Sequence, residues 1–221
     1  LGAQANRDFV PFQRRPAGDR LNAEATMASE STGVKHRFQL TAGTHMCCMY
    51  RGPAERDELL EPYLAEGLRA GNTCFVAVSD EDPQRLRRLQ ATGGPGHLII
   101  RTASEPAFDK DSFDIDRIIA FWEKTITDAL GVAGVAFVRL SAEATWWLTQ
   151  IPGQEDMLRY EARLNGFAAR HPVSVLCLYD IEELGAGVVF DAMKIHPRIW
   201  LSGLVLENPF FEPPEHAPHR R

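Results

Sequence analysis

The sequence has no apolar run near the roughly 20 residues that a membrane-spanning helix needs, and no secretory leader opens it. A membrane protein is therefore not expected. Basic residues are outnumbered, 24 Lys and Arg against 30 Asp and Glu, for a formal net charge of -6. A broad cationic face for direct nucleic-acid contact is not expected either. Cysteine is scarce: Cys47, Cys48, Cys74 and Cys177 are the only four, and all lie inside apolar runs. Disulfide frameworks belong to small secreted domains with cysteines in loops, so these read as free thiols in a reducing cytoplasm. The phosphate-binding pattern GxxxxGK[ST] is absent, as is GxGxxG. Gly93-Gly94-Pro95-Gly96 has no following lysine and reads as a turn. ATP hydrolysis is not expected. No G-x-S-x-G elbow marks a nucleophile, and Ser141, between Arg139 and Glu143, forms no recognisable triad.

What is present is alternation between apolar runs and helical periodicity. Of the 221 residues, 44% are hydrophobic, enough for one sizeable domain. Residues 1–40 are polar, carry Arg14, Arg15 and Arg20, and read as a flexible N-terminal tail. Met27 would make a native start, since Leu1 implies processing or truncation. Residues 41–211 form the expected domain, and 212–221, rich in Pro and His, a disordered C-terminal tail.

Within the domain, Thr44–Tyr50 reads as the first strand. Leu59, Leu60, Tyr63, Leu64 and Leu68 give a helical stripe that starts late or bends at Pro62. Cys74–Ser79 is a second strand, Asp82-Pro83 opens a short helix, and Leu98–Thr102 is a third strand. Asp111 or Asp114 caps a helix with its core face at Ile115, Ile118, Ile119, Trp122 and Ile126. Val135–Leu140 follows as strand four. After Pro152-Gly153 comes a helix turning Met157, Tyr160, Leu164, Phe167 and Ala168 inward, stopped by His171-Pro172. Val173–Tyr179 is strand five, Val188–Ile195 a short helix, and Trp200–Leu206 a last strand. Near-continuous apolar strands are those buried on both faces. The order predicts an α/β fold: a doubly wound, mostly parallel sheet in a three-layer α/β/α sandwich. In such sheets ligands bind outside the carboxyl ends of the strands.

The candidate site residues follow from those ends. Trp146-Trp147 lie just past Glu143, where one ring can join the core and the other wall a small-molecule pocket. Glu161 and Asn165 are spaced i,i+4 and share a helix face; a solvated pair is the plain alternative. His196, before Pro197, either ends a helix or joins the site. His45 and Cys47 point to one face of a strand, and Cys177 lies on another strand. Imidazole and thiolate suit zinc, copper or haem iron, so His45, Cys47 and Cys177 are the candidate metal, haem or thiol-redox set. An acid-base enzyme built on Glu143, His45 and Asp180 is a further alternative.

Several short motifs, taken in order, resemble the MEDS domain, the sensory domain named after methanogens, methylotrophs and the DcmR regulator. They are His45-x-Cys47 with Tyr50-Arg51, Leu64-x-x-Gly67-Leu68 with Gly71, and Arg139-Leu140 with Glu143 and Trp146. Tyr160-Glu161 with Leu164-Asn165, Cys177-Leu178-Tyr179-Asp180, and His196-Pro197 with Asn208-Pro209 complete the series. The resemblance spans His45 to Pro213. It implies a fold similar to the KaiC and RecA ATPase core with the ATP-binding loop lost. It also implies a non-catalytic sensor of small molecules, with C1 or hydrocarbon-like compounds proposed for the family. The ligand-binding residues it suggests are His45, Cys47, Tyr50, Arg51, Arg139, Glu143, Trp146, Tyr160, Glu161, Asn165, Tyr179, Asp180 and His196. Family members are often joined to DNA-binding, histidine-kinase or anti-sigma modules. No such segment is recognisable here, so a regulatory partner (a kinase, anti-sigma or transcription factor) is expected to carry the output, or the chain is a fragment. A homodimer is compatible with that role. The cofactor, if any, stays open.

Overall fold

Alternation along the first strand sorts its side chains onto two faces, as the period of two in an extended chain requires. In β1 (Thr44–Tyr50), Met46, Cys48 and Tyr50 enter one core and Cys47 the other, with His45 on the side of Cys47. Both faces of this strand are buried, so the run reads as continuously apolar. The computed structural model describes residues 40–79, 84–91, 94–102, 113–150, 154–201 and 204–213. Contacts divide the chain into units 1–35 and 36–221, and the described residues all belong to the second. The expected tails fall largely outside these residues, as do Met27, Asp82-Pro83, Gly93, Asp111 and Pro152-Gly153.

Six further strands follow: β2 (Thr73–Val78), β3 (His97–Thr102), β4 (Val138–Glu143), β5 (Val173–Asp180), β6 (Arg198–Leu201) and β7 (Leu204–Glu207). They form one sheet in the order β3-β2-β4-β5-β1-β6-β7. All neighbours are parallel except β6 and β7, which pair antiparallel. Helices α1 (Gly52–Arg69) and α2 (Gln84–Ala91) cover one face. Helices α3 (Ile115–Leu130), α4 (Ala144–Gln150), α5 (Gln154–Ala169) and α6 (Ala186–Ile195) cover the other. The fold is α/β, doubly wound, with helix layers on both sides of a mostly parallel sheet.

Besides α4, a helix the sequence reading did not anticipate, three local outcomes differ from that reading. First, α1 begins at Gly52 and runs through Pro62 unbroken. Pro62 and Glu58, whose carbonyl loses its helical donor, are both exposed, so water can serve that carbonyl. Gly52 has φ 65°, a left-handed conformation that a residue with a Cβ rarely adopts. Second, β4 lies three residues later than expected. Val135–Phe137 is apolar but outside the strand, which continues through Arg139, Ser141 and Glu143 because each finds polar partners. Third, the last apolar run is two strands, with Leu201 opposite Leu204 and the Ser202-Gly203 pair between them. At the start of α3 it is Asp114 that caps, its carboxylate accepting from the Arg117 amide at 3.0 Å.

Candidate functional site

The parallel strands bring their carboxyl ends to one edge of the sheet, and the candidate residues separate there into two groups. Tyr50, Arg139, Glu143 and Asp180 belong to the α1 side. Glu143 accepts from the Tyr50 hydroxyl at 2.9 Å and from Arg56 Nη1 at 2.9 Å, while its second oxygen takes the Ser79 amide. Arg56 is 1% exposed, so its charge is compensated by Glu143 and by Asp57 at 2.8 Å. Burial, then the charge of Glu143, pushes the Tyr50 phenol upward. Arg139 donates to the Tyr63 carbonyl at 2.7 Å, Asn72 at 3.0 Å and Glu66 at 3.2 Å, and lies over the Tyr63 ring. Asp180 accepts from the Gly52 amide at 3.0 Å and the Glu182 amide at 3.0 Å. These contacts hold α1 and the strand-end turns in place. Arg51 is exposed, and its amide donates to Glu55.

His45, Tyr160, Glu161, Asn165, Cys177, Tyr179 and His196 converge on the opposite face, beneath α5 and α6. His45 lies diagonal to Cys177, because Cys47 is the direct partner of Cys177 in the β1–β5 register. Glu161 and Asn165, one helical turn apart on α5, both face the sheet, and Glu161 is fully buried. His196 sits at the C-terminal cap of α6 and turns its ring inward. The rings of His45 and His196 have centroids 4.3 Å apart. Glu161 Oε2 lies 3.4 Å from His45 Nε2, 3.6 Å from His196 Nε2 and 3.1 Å from Cys177 Sγ. His45 Nε2 is 3.3 Å from Cys177 Sγ. Burial, then His196, pushes the His45 imidazole down, against the pull of Glu161 and Asn165. Burial, then the Glu161 charge, pushes the Cys177 thiol well up. Burial opposes the Glu161 carboxylate, yet His196 and then His45 outweigh it and hold its carboxyl below the usual range.

Above this cluster a pocket opens at the carboxyl ends of β2 and β4, with about 530 Å3 of empty space, its open mouth included. Its walls are Trp122, Trp146, Trp147, Met157 and Tyr160; Ala77, Leu140, Ala142 and Val175 come from the sheet. Ser79, Glu143, Glu161 and Cys177 supply its few polar groups. Trp122 donates its indole N–H to the Tyr160 hydroxyl at 2.9 Å, which fixes both rings. An apolar, largely aromatic enclosure with a few convergent polar groups is the general form of a small-molecule site.

The structure thus brings together Glu143, Trp146, Tyr160 and Glu161 around one pocket, with His45, Asn165, Tyr179 and His196 behind it. It does not bring Tyr50, Arg51, Arg139 or Asp180 to that lining. Of Glu143, His45 and Asp180, this pocket includes only Glu143. Cys47 also departs from the expected metal set. Its thiol, pushed up to about 12 by burial, donates towards the Arg198 carbonyl at 3.8 Å. Glu161 and His196 take its place beside His45 and Cys177. Sequence reasoning missed Arg56, whose setting among Glu55, Asp57 and Glu58 has the look of a solvated helix start. It also missed Trp122 as a pocket wall, since its place in a core stripe said nothing of the space beside it.

A family model, the "MEthanogen/methylotroph, DcmR Sensory domain", matches residues 44–197. The chain belongs to the MEDS family. The transcriptional repressor DcmR of Methylorubrum extorquens is 26% identical over 157 residues, covering 69% of this chain and 57% of the repressor. The match therefore spans little more than half of that relative's length. Among solved structures, a KaiC-like protein from Pyrococcus horikoshii aligns at a TM-score of 0.49 and 12% identity, over 72% of this chain and 70% of its own. The flagellar accessory protein FlaH from Methanocaldococcus jannaschii aligns at 0.47 and 8%, over 77% and 78%. A sensory, regulatory role is what the family match and the repressor relative support. No helix among the described residues is long and apolar enough to cross a membrane.

Proposed function

We propose that this MEDS domain is a non-catalytic sensor that takes a small, largely apolar organic molecule into the pocket under Trp146 and Trp147. The observation that carries the reading is the pocket itself. It lies at the carboxyl edge of a doubly wound sheet, where such folds place their ligands. Its walls are mostly apolar and aromatic and its polar groups are few, the composition typical of small-molecule sites. Ligand entry would press on α4 and α5, the two helices that carry most of the aromatic wall. Movement of those helices would pass the signal to a regulatory protein, with a transcription factor favoured by the repressor relative. A kinase, an anti-sigma factor or a second copy of the chain are the other recipients. The four buried free thiols agree with a cytoplasmic setting.

The test is a thermal-shift screen of small organic compounds, from C1 compounds to short hydrocarbons and their oxidised or halogenated derivatives. A ligand at 100 times its Kd should stabilise the fold by about 2.7 kcal/mol. Ala142→Phe, which fills the pocket from the sheet side, should abolish the shift while leaving a folded protein. A hit that stabilises both proteins equally would remove the pocket from the reading.

A further inference from the structure

We infer that His45, Glu161, Cys177 and His196 form a binding site for one divalent transition-metal ion of the zinc type. Each offers one donor atom, and the four donors lie within 4.8 Å of one another. Four of the separations are 3.1 Å, 3.3 Å, 3.4 Å and 3.6 Å. Tetrahedral zinc, with bonds of about 2.0–2.3 Å, sets donor atoms about 3.3–3.8 Å apart. Four of the six separations match that spacing to within about 0.2 Å, and the remaining two, both to His196, lie within 4.8 Å.

The surrounding hydrogen bonds decide which atoms face inward. The Ala192 carbonyl can only accept, so His196 Nδ1, 2.6 Å away, must carry a proton and donate it. Asn165 Nδ2 donates to the Ile195 carbonyl at 2.9 Å and the Ala162 carbonyl at 3.3 Å, which turns its Oδ1 towards His45. His45 Nδ1 therefore donates to that oxygen at 2.9 Å. Both imidazoles, when neutral, present the lone pair of Nε2 to the cluster. His196 Nε2 has no hydrogen-bond partner among the described residues, although the residue is fully buried. Four electron-rich atoms thus face one another, with the Cys177 thiol and the Tyr179 hydroxyl beside Glu161 as the donor hydrogens at hand. An electron-pair acceptor is what the arrangement lacks. Imidazoles oriented by a carbonyl and an amide also have the supporting contacts typical of metal-bound histidines.

Charge points to a divalent ion. On binding, the Cys177 proton passes to solvent and the thiolate and the Glu161 carboxylate together contribute two negative charges. A divalent cation leaves the buried centre neutral, which spares the desolvation cost of a net charge. Thiolate with imidazole favours zinc, cobalt or copper over magnesium or calcium. Glu161 and Cys177 also line the pocket, which gives the ion a route in. The ion site stands whether or not the pocket takes an organic ligand.

The test uses the full chain, stripped with a chelator and titrated with Co2+ and then Zn2+ against a chromophoric chelator. One ion per chain is expected. The cobalt form should show the intense visible bands of a tetrahedral centre and a thiolate-to-cobalt charge-transfer band. Cys177→Ser should remove that charge-transfer band, and Cys74→Ser should leave it intact. Asn165→Ala, a change at a half-buried residue outside the donor set, should keep the circular dichroism of the fold and weaken zinc about 10–100-fold. Failure to retain an ion would overturn the site in favour of a protonated histidine–glutamate pair. A charge-transfer band that survives Cys177→Ser, or unchanged zinc affinity in Asn165→Ala, would overturn it too.

Discussion

At the scale of single residues, the buried polar groups dominate what can be tested. Arg56 and Glu143 are both buried, and removing Glu143 takes from Arg56 its buried counter-charge, leaving it the part-exposed Asp57, and takes from the Tyr50 hydroxyl its acceptor. Glu143→Ala is expected to cost about 3–5 kcal/mol, read as a lower midpoint in chemical denaturation. Gly67 has a different role. A Cβ there would sit 2.7 Å from Arg139 Cδ and Nε and from Cys74 Sγ. Because Arg139 is held by three hydrogen bonds, it cannot swing away freely. Gly67→Ala should destabilise by about 1–3 kcal/mol, again by denaturant midpoint. Cys48 and Cys74 have thiols pushed up to about 12 by burial, so they should not react with a thiol reagent at pH 8 until the protein is unfolded. A sequence names such residues without revealing their partners. His196 reads equally well as a helix terminus, and only the fold shows that it both ends α6 and turns inward. Arg56 carries no sequence mark at all, because its partner lies 87 positions away.

Whole elements were legible where apolar period and turn residues agreed. The stripe Ile115, Ile118, Ile119, Trp122 and Ile126 predicts the buried face of α3, and all five lie against the core. The reading failed in β4, because a strand was equated with apolar residues and this one carries three polar side chains inward. It failed again at β6 and β7, where one apolar run holds two strands that pair antiparallel. An element-scale prediction concerns the contact between α3 and the end of α5. There Glu123 receives Arg170 at 2.6 Å and His171 at 2.8 Å. Arg170 foremost, then His171, holds the Glu123 carboxyl below its usual value against the effect of burial. A depressed carboxyl contributes stability above its unfolded value of roughly 4.3 and loses it as pH falls through the folded value. Denaturation midpoints at pH 7 and pH 4 should therefore differ less in Glu123→Gln than in the parent.

For the whole molecule, the order of elements gave away the α/β class and the doubly wound arrangement, since buried parallel strands carry a compositional mark. The division of the candidate residues between two faces was harder to see. It depends on strand register, and a one-residue shift changes the face of every side chain. Filling the pocket should separate the two sites beneath α5 in experiment: Ala142→Phe is expected to abolish ligand-induced stabilisation while one zinc ion per chain is still bound. Isothermal titration of the parent and the variant with each ligand measures this directly. The strand order has one more consequence, which concerns synthesis. β1 is made first yet lies between β5 and β6, pairing Thr44 with Ser174 and Met46 with Arg198. As the chain leaves the ribosome, the His-Met-Cys-Cys-Met stretch must wait for more than a hundred residues before either neighbour exists. An apolar strand with both edges open is prone to pair wrongly. The nascent protein should therefore depend on chaperones until β5 emerges, and fragments ending before residue 173 should aggregate.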